Sequence, residues 1–143
     1  MTNTNLLLVD DEKGFLDTIT KRLEKRELKV TAVYSGKDAL DELESNNAVE
    51  VVVLDVKMPG MDGIETLVEI KKRFPLVEVI MLTGHATVET AIDGMKLGAF
   101  DYLMKPCDID MLVTKVNEAM EKKRKHDEKI MEARMKEISG RMI

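Results

Sequence analysis

The sequence predicts an α/β fold in which one parallel five-stranded sheet carries helices on both faces. Short apolar runs recur five times, with stretches of helical spacing between them, and three of the runs are apolar at every position. Continuous apolarity means burial on both faces, the mark of a central strand in a parallel sheet. The β-α order demands right-handed crossovers, which place helices above and below that sheet. At 143 residues and 44% hydrophobic, the chain fills one domain with a sizeable core.

The five runs are 5–9, 29–34, 50–54, 77–82 and 100–104. The continuous ones are Leu6-Leu7-Leu8-Val9, Val51-Val52-Val53-Leu54 and Val79-Ile80-Met81-Leu82. Phe15, Ile19 and Leu23 repeat at helical spacing after the first run. Ala39, Leu40 and Leu43 mark a shorter helix, and Ser35-Gly36-Lys37-Asp38 before it fits a capping box. Ile64, Leu67, Val68 and Ile70 mark a third helix, stopped by Pro75. Val88, Ala91, Ile92 and Met95 mark a fourth. The last begins near Asp108 and turns Ile109, Leu112, Val113, Val116, Ala119 and Met120 inward. Residues 121–129 then lack any apolar member, and residues 121–143 carry eight basic and five acidic side chains. A domain boundary is expected near 121, with 1–121 the globular domain and 122–143 a charged helical tail.

The formal net charge of −5 argues against coating nucleic acid through bulk charge. Lys122-Lys123-Arg124-Lys125 reads as a wet helix face, since neither a helix-turn-helix pattern nor a stacking aromatic follows it. No apolar run approaches bilayer length, and the first residues lack the basic and apolar regions of a signal peptide. A cytoplasmic protein without membrane contact is expected. The single cysteine, Cys107, excludes an intrachain disulfide and reads as a packed thiol. Met131, Met135, Ile138 and Met142 step by four, three and four, as in a coiled-coil seam of two heptads.

Open α/β sheets bind ligands at the carboxyl ends of their strands. There stand Asp10, Asp11 and Glu12 after the first run, Asp55 after the third, Thr83 and Gly84 after the fourth, and Lys105 and Pro106 after the fifth. With strand order 2-1-3-4-5, Asp10, Asp11 and Asp55 converge on one pocket, with Thr83 and Lys105 on its far side. Three carboxylates in one pocket call for positive charge. Lys105 supplies one, and a few carboxylates with waters and a phosphate are how magnesium is held. Such a site suits phosphoryl transfer to an aspartate.

These residues resemble a response-regulator receiver domain of bacterial two-component signalling. The matching motifs are Asp10-Asp11, Asp55 in Val-Leu-Asp-Val-Lys-Met-Pro-Gly-Met-Asp-Gly, Thr83 in Met-Leu-Thr-Gly-His-Ala, and Lys105 in Gly-Ala-Phe-Asp-Tyr-Leu-Met-Lys-Pro, spanning about residues 4–121. Parts of the chain are similar to receivers of NtrC-type transcription activators. The resemblance implies a flavodoxin-like (βα)5 three-layer sandwich, with an extended C-terminal helix. It implies phosphorylation of Asp55 by a sensor histidine kinase or histidine phosphotransfer protein. Asp10, Asp11, Asp55 and the Lys57 backbone carbonyl would bind magnesium, and Thr83 and Lys105 would hold the phosphoryl group. Lys105-Pro106 would be a cis peptide. Tyr102 would be the aromatic switch that follows Thr83, and Lys57 and His85 would tune loss of the phosphoryl group. No independent turnover is implied; the output would be a downstream protein or self-association.

Other readings stay open at this stage. Asp10-Asp11 also suits a helix N-terminus, and Thr83 and Tyr102 suit a strand-end hydroxyl and a half-buried aromatic. His85 also reads as an exposed loop residue. A dehalogenase-type phosphatase uses an Asp nucleophile and magnesium, but has a second Asp where this chain has Lys57. A flavodoxin needs a phosphate-cradling loop where this chain has Asp-Asp-Glu. The chain is expected to be either a single-domain regulator or an excised receiver.

Overall fold

The computed structural model describes residues 5–56, 62–84 and 87–141. Five strands, β1 (Asn5–Val9), β2 (Lys29–Val33), β3 (Val51–Leu54), β4 (Glu78–Thr83) and β5 (Asp101–Met104), alternate with five helices. These are α1 (Lys13–Glu24), α2 (Gly36–Ser45), α3 (Gly63–Arg73), α4 (Val88–Lys96) and α5 (Ile109–Arg141). The strands form one sheet in the order β2-β1-β3-β4-β5, and every pair is parallel. This is the predicted flavodoxin-like sandwich. Glu50 and Phe100 fall just outside their strands, yet each still donates its N–H to the neighbouring strand, to Asn5 O (2.9 Å) and Val79 O (2.7 Å).

Side chains alternate across the sheet with the period of the pleat. Leu6, Leu8, Val51, Val53, Ile80, Leu82 and Leu103 face α1 and α5, where Leu16, Leu23, Leu112 and Val116 meet them. Leu7, Val9, Val52, Leu54, Val79 and Met81 face the other way, onto Leu40, Leu43, Leu67 and Ile70 of α2 and α3. Burial on both faces is why three runs had to be apolar throughout. Helix starts are held by side-chain oxygens: Ser35 accepts from Asp38 N (3.1 Å), Asp62 from Glu65 N (2.9 Å), and Thr87 and Thr90 form a reciprocal capping box.

α4 departs from the sequence expectation. Its apolar stripe has helical spacing, but only Gly94 of the helix is buried. Val88, Ile92 and Met95 are 77%, 48% and 46% exposed, and Leu97 and Met104 lie exposed beside them in the chain's next turn and strand. Periodicity identifies an apolar face without saying what covers it.

α5 runs without interruption through the position expected to bound the domain. Beyond its core-facing residues, polar contacts continue to hold it to the amino-terminal end of the sheet. The Arg124 guanidinium donates to both oxygens of Glu50 (Nε 2.7 Å, Nη2 2.9 Å), and Lys122 lies 3.6 Å from Glu78, which is itself 2% exposed. From Glu128 through Gly140 every residue is exposed, including Met131, Met135 and Ile138 of the expected seam. Met142 lies outside the described residues. No helix among the described residues is long and apolar enough to cross a membrane.

Gly63 sets the start of α3 directly against the strand end that carries Asp55. Its N–H donates to Val56 O (2.8 Å), and a Cβ there would stand 2.0 Å from Asp55 O and 2.5 Å from Val56 Cα. Backbone cannot yield as a side chain does. Gly63→Ala should therefore destabilise the protein by about 1–3 kcal/mol or more, read as a lower urea midpoint at unchanged slope.

Candidate functional site

The ladder hydrogen bonds continue one residue past the strands and so fix the backbone of the candidate residues. Asp10 N donates to Val33 O (3.2 Å), Asp55 N to Val9 O (3.0 Å) and Lys105 N to Thr83 O (2.9 Å). All three side chains therefore emerge at the same carboxyl edge, at the β1/β3 switch point. Thr83 is the last residue of β4 and is fully buried. The Lys105–Pro106 peptide is cis.

Asp10 and Asp55 are buried at 2% and 3% exposure, and Asp11 is exposed. One oxygen from each lies within 4.8 Å of the others. Lys105 stands over this group with its ammonium 2.5 Å from Asp10 Oδ2, 3.2 Å from Glu12 Oε1 and 3.7 Å from Asp55 Oδ2. The same nitrogen sits 4.1 Å from the centroid of the Phe15 ring, which closes the floor beneath it. Asp10 Oδ1 accepts from Glu12 N at 3.0 Å.

The electrostatics follow from burial. Loss of water raises the Asp10 pKa, and the bonds from Lys105 and Glu12 N do not fully offset that effect. Burial pulls the Lys105 pKa down, but the hydrogen bond and charge of Asp10, with Asp55 and Glu12, outweigh it and leave it raised. Lys105 is thus firmly cationic, yet one cation faces several carboxylates. The donor set is all oxygen, which suits a hard divalent cation.

Tyr102 lies on β5, partly buried against the α2/α3 side of the core. Its hydroxyl shares a 3.2 Å hydrogen bond with Thr90 Oγ1 in the first turn of α4. Lys57 and His85 lie outside the described residues. Cys107 donates its thiol to Asp108 O (3.3 Å), and burial together with the Asp108 charge pushes its pKa up, away from reactivity.

Three contributors were not assigned to the site from the sequence: Glu12 as a partner of Lys105, Phe15 beneath it, and Thr90 beneath Tyr102. Glu12 was legible as a third acid after β1, but nothing in the sequence joins it to a lysine 93 positions away.

A family model for the response regulator receiver domain matches residues 6–117. Among curated proteins, the chain is 38% identical to the DNA-binding transcriptional regulator NtrC of Klebsiella pneumoniae, over 79% of this chain and 24% of that one. It is 36% identical to the transcriptional regulatory protein ZraR of Escherichia coli K12, over 82% and 26% of the two chains. The chain thus spans about a quarter of the length of these relatives. Among solved structures, a receiver domain protein from Clostridium thermocellum superposes with TM-score 0.81 at 38% identity, covering 85% of this chain and 97% of that one. NtrX from Brucella abortus superposes with TM-score 0.81 at 30% identity, covering 89% and 29%.

A hard divalent cation at about ten times its Kd should stabilise the folded chain by about 1.4 kcal/mol. Asp11→Asn should abolish that gain while the cation-free protein melts as a folded domain. Thermal melts of both chains with and without the cation measure this.

Proposed function

Because this chain belongs to the response regulator receiver family, we propose that it accepts a phosphoryl group on Asp55 and relays that event by changing which protein surface it offers. Membership supports this reading over the phosphatase and flavodoxin alternatives. The observation that carries the reading is the buried Asp55 carboxylate beside Asp10, Asp11 and Lys105 at the switch point of the sheet.

Receivers of two-component systems pair with histidine kinases, and a phosphohistidine of such a kinase or of a phosphotransfer protein is the donor proposed here. An Asp55 carboxylate oxygen attacks phosphorus, the new O–P bond forms as the donor's N–P bond breaks, and the imidazole leaves to take up a proton. Lys105 offsets the negative charge of the transferred group, and the Thr83 hydroxyl at the end of β4 donates to one of its oxygens. Asp10, Asp11 and Asp55, with the Lys57 carbonyl as a further ligand, are proposed to hold magnesium, which supplies positive charge to the phosphoryl oxygens when bound. His85 and the Lys57 side chain are proposed to tune hydrolysis of the acyl phosphate. Sustained turnover of a separate substrate is not part of this reading.

The output follows from Tyr102 and α4. A shift of Thr83 toward the phosphoryl group opens space at β4 for Tyr102 to turn inward. That rotation breaks the Tyr102–Thr90 bond, the tie between β5 and the first turn of α4. The exposed face of Val88, Ile92, Met95 and Met104 is the surface whose packing then changes, and a downstream protein or a second copy is its proposed partner. In relatives that are four times as long, the partner can be the rest of the same polypeptide; an excised receiver and a single-domain regulator share this surface.

Incubation with acetyl phosphate and magnesium should give a hydroxylamine-labile phosphoprotein in the wild type and none in Asp55→Asn; equal uptake in both would sink the assignment. Ile92→Glu places a charge on an already exposed position. It should leave the melting temperature unchanged and Asp55 phosphorylation intact, while abolishing any phosphorylation-dependent rise in mass seen by light scattering.

A further inference from the structure

Glu12 stands at the N-cap of α1, where a side chain ordinarily accepts a hydrogen bond from the first turn of the helix. It makes no such bond. Its carboxylate turns instead to Lys105 Nζ at 3.2 Å. The turn is prepared by the backbone, since Glu12 N donates to Asp10 Oδ1 (3.0 Å), the carboxylate whose other oxygen takes Lys105 at 2.5 Å. An ammonium has three protons to give. Asp10 and Glu12 take two of them, and Asp55 Oδ2, at 3.7 Å, stands beyond hydrogen-bond reach. Phe15 closes the side beneath the nitrogen. One proton remains for a phosphoryl group on Asp55, and a move of the ammonium across the 3.7 Å gap toward it draws on the bonds to Asp10 and Glu12. Asp10 belongs to the carboxylate group that fits a cation, and Glu12 does not. Its carboxylate can hold Lys105 without competing with a cation for the same oxygens.

We propose that Glu12 is a positioning residue for Lys105, a rim carboxylate that draws the ammonium outward and limits how fully it commits to a phosphoryl group on Asp55. The proposal rests on the reading of Asp55 as phosphoacceptor. Glu12 is 63% exposed at its side chain, so its hold is that of a surface pair and not of a buried one. A hold of that size is one a phosphoryl group can overcome, at a cost in affinity of roughly two- to fivefold.

The test is the affinity of the full chain for beryllofluoride, a phosphoryl mimic, measured by titration calorimetry in saturating magnesium. Glu12→Asp keeps the charge and is a better helix cap, but its carboxylate is one methylene short of Lys105. Glu12→Asp and Glu12→Gln should each tighten beryllofluoride binding by roughly two- to fivefold, and neither should do so in a Lys105→Ala background. Glu12→Asp binding as the wild type does, or a gain from Glu12→Gln that persists without Lys105, would mean that Glu12 acts through bulk charge or the helix and would overturn the proposal. A wild type that ignores beryllofluoride, or an Asp55→Asn variant that binds it equally well, overturns the reading of Asp55, and this proposal with it. Thermal melts of each variant confirm that the fold is retained.

Discussion

One ammonium shared among carboxylates governs this domain. Asp10 and Asp55 are almost wholly withdrawn from water at the ends of adjacent strands, an arrangement that like charge and desolvation both oppose. Lys105, brought across from β5, makes it tenable. The parallel ladder fixes the backbone at all three positions, so the sheet's hydrophobic stabilisation holds together a polar cluster that would not assemble alone. The carboxylates still outnumber the cation among them, and Asp10, Asp11 and Asp55 lie close enough together to hold a metal ion.

Much of this could be read in the sequence, for identifiable reasons. A strand buried on both faces has to be apolar at every position, so β1, β3 and β4 announce themselves as unbroken runs. Asp10, Asp55, Thr83 and Lys105 stand out because each breaks such a run at its carboxyl end. What pattern could not supply was the destination of individual side chains. Glu12 looked like one more acid near a helix start, yet its carboxylate reaches Lys105. Phe15 looked like a core residue of α1, yet its ring lies beneath the same ammonium. Thr90 falls between the apolar positions that mark α4, yet it bonds the Tyr102 hydroxyl. Each is a contact across distant sequence, decided by crossover geometry and not by local spacing.

α4 teaches the complementary lesson. Its periodicity predicted a helix and a helix formed, but the apolar face points to solvent. A hydrophobic stripe is left uncovered on the helix that Tyr102 ties to β5 through Thr90. The domain thus keeps an exposed apolar surface on a loosely buried element.

The two ends of α5 give the molecule a mechanical character. The helix begins beside the candidate site, and Arg124 and Lys122 fasten it at the opposite end of the sheet through Glu50 and Glu78. Residues 125–141 extend beyond that fastening, an overhang of about 25 Å at the helical rise. A pivot of about 10° at the fastening would carry the far end through about 4 Å. At that length, any tilt at the fastening is multiplied at the far end of the helix.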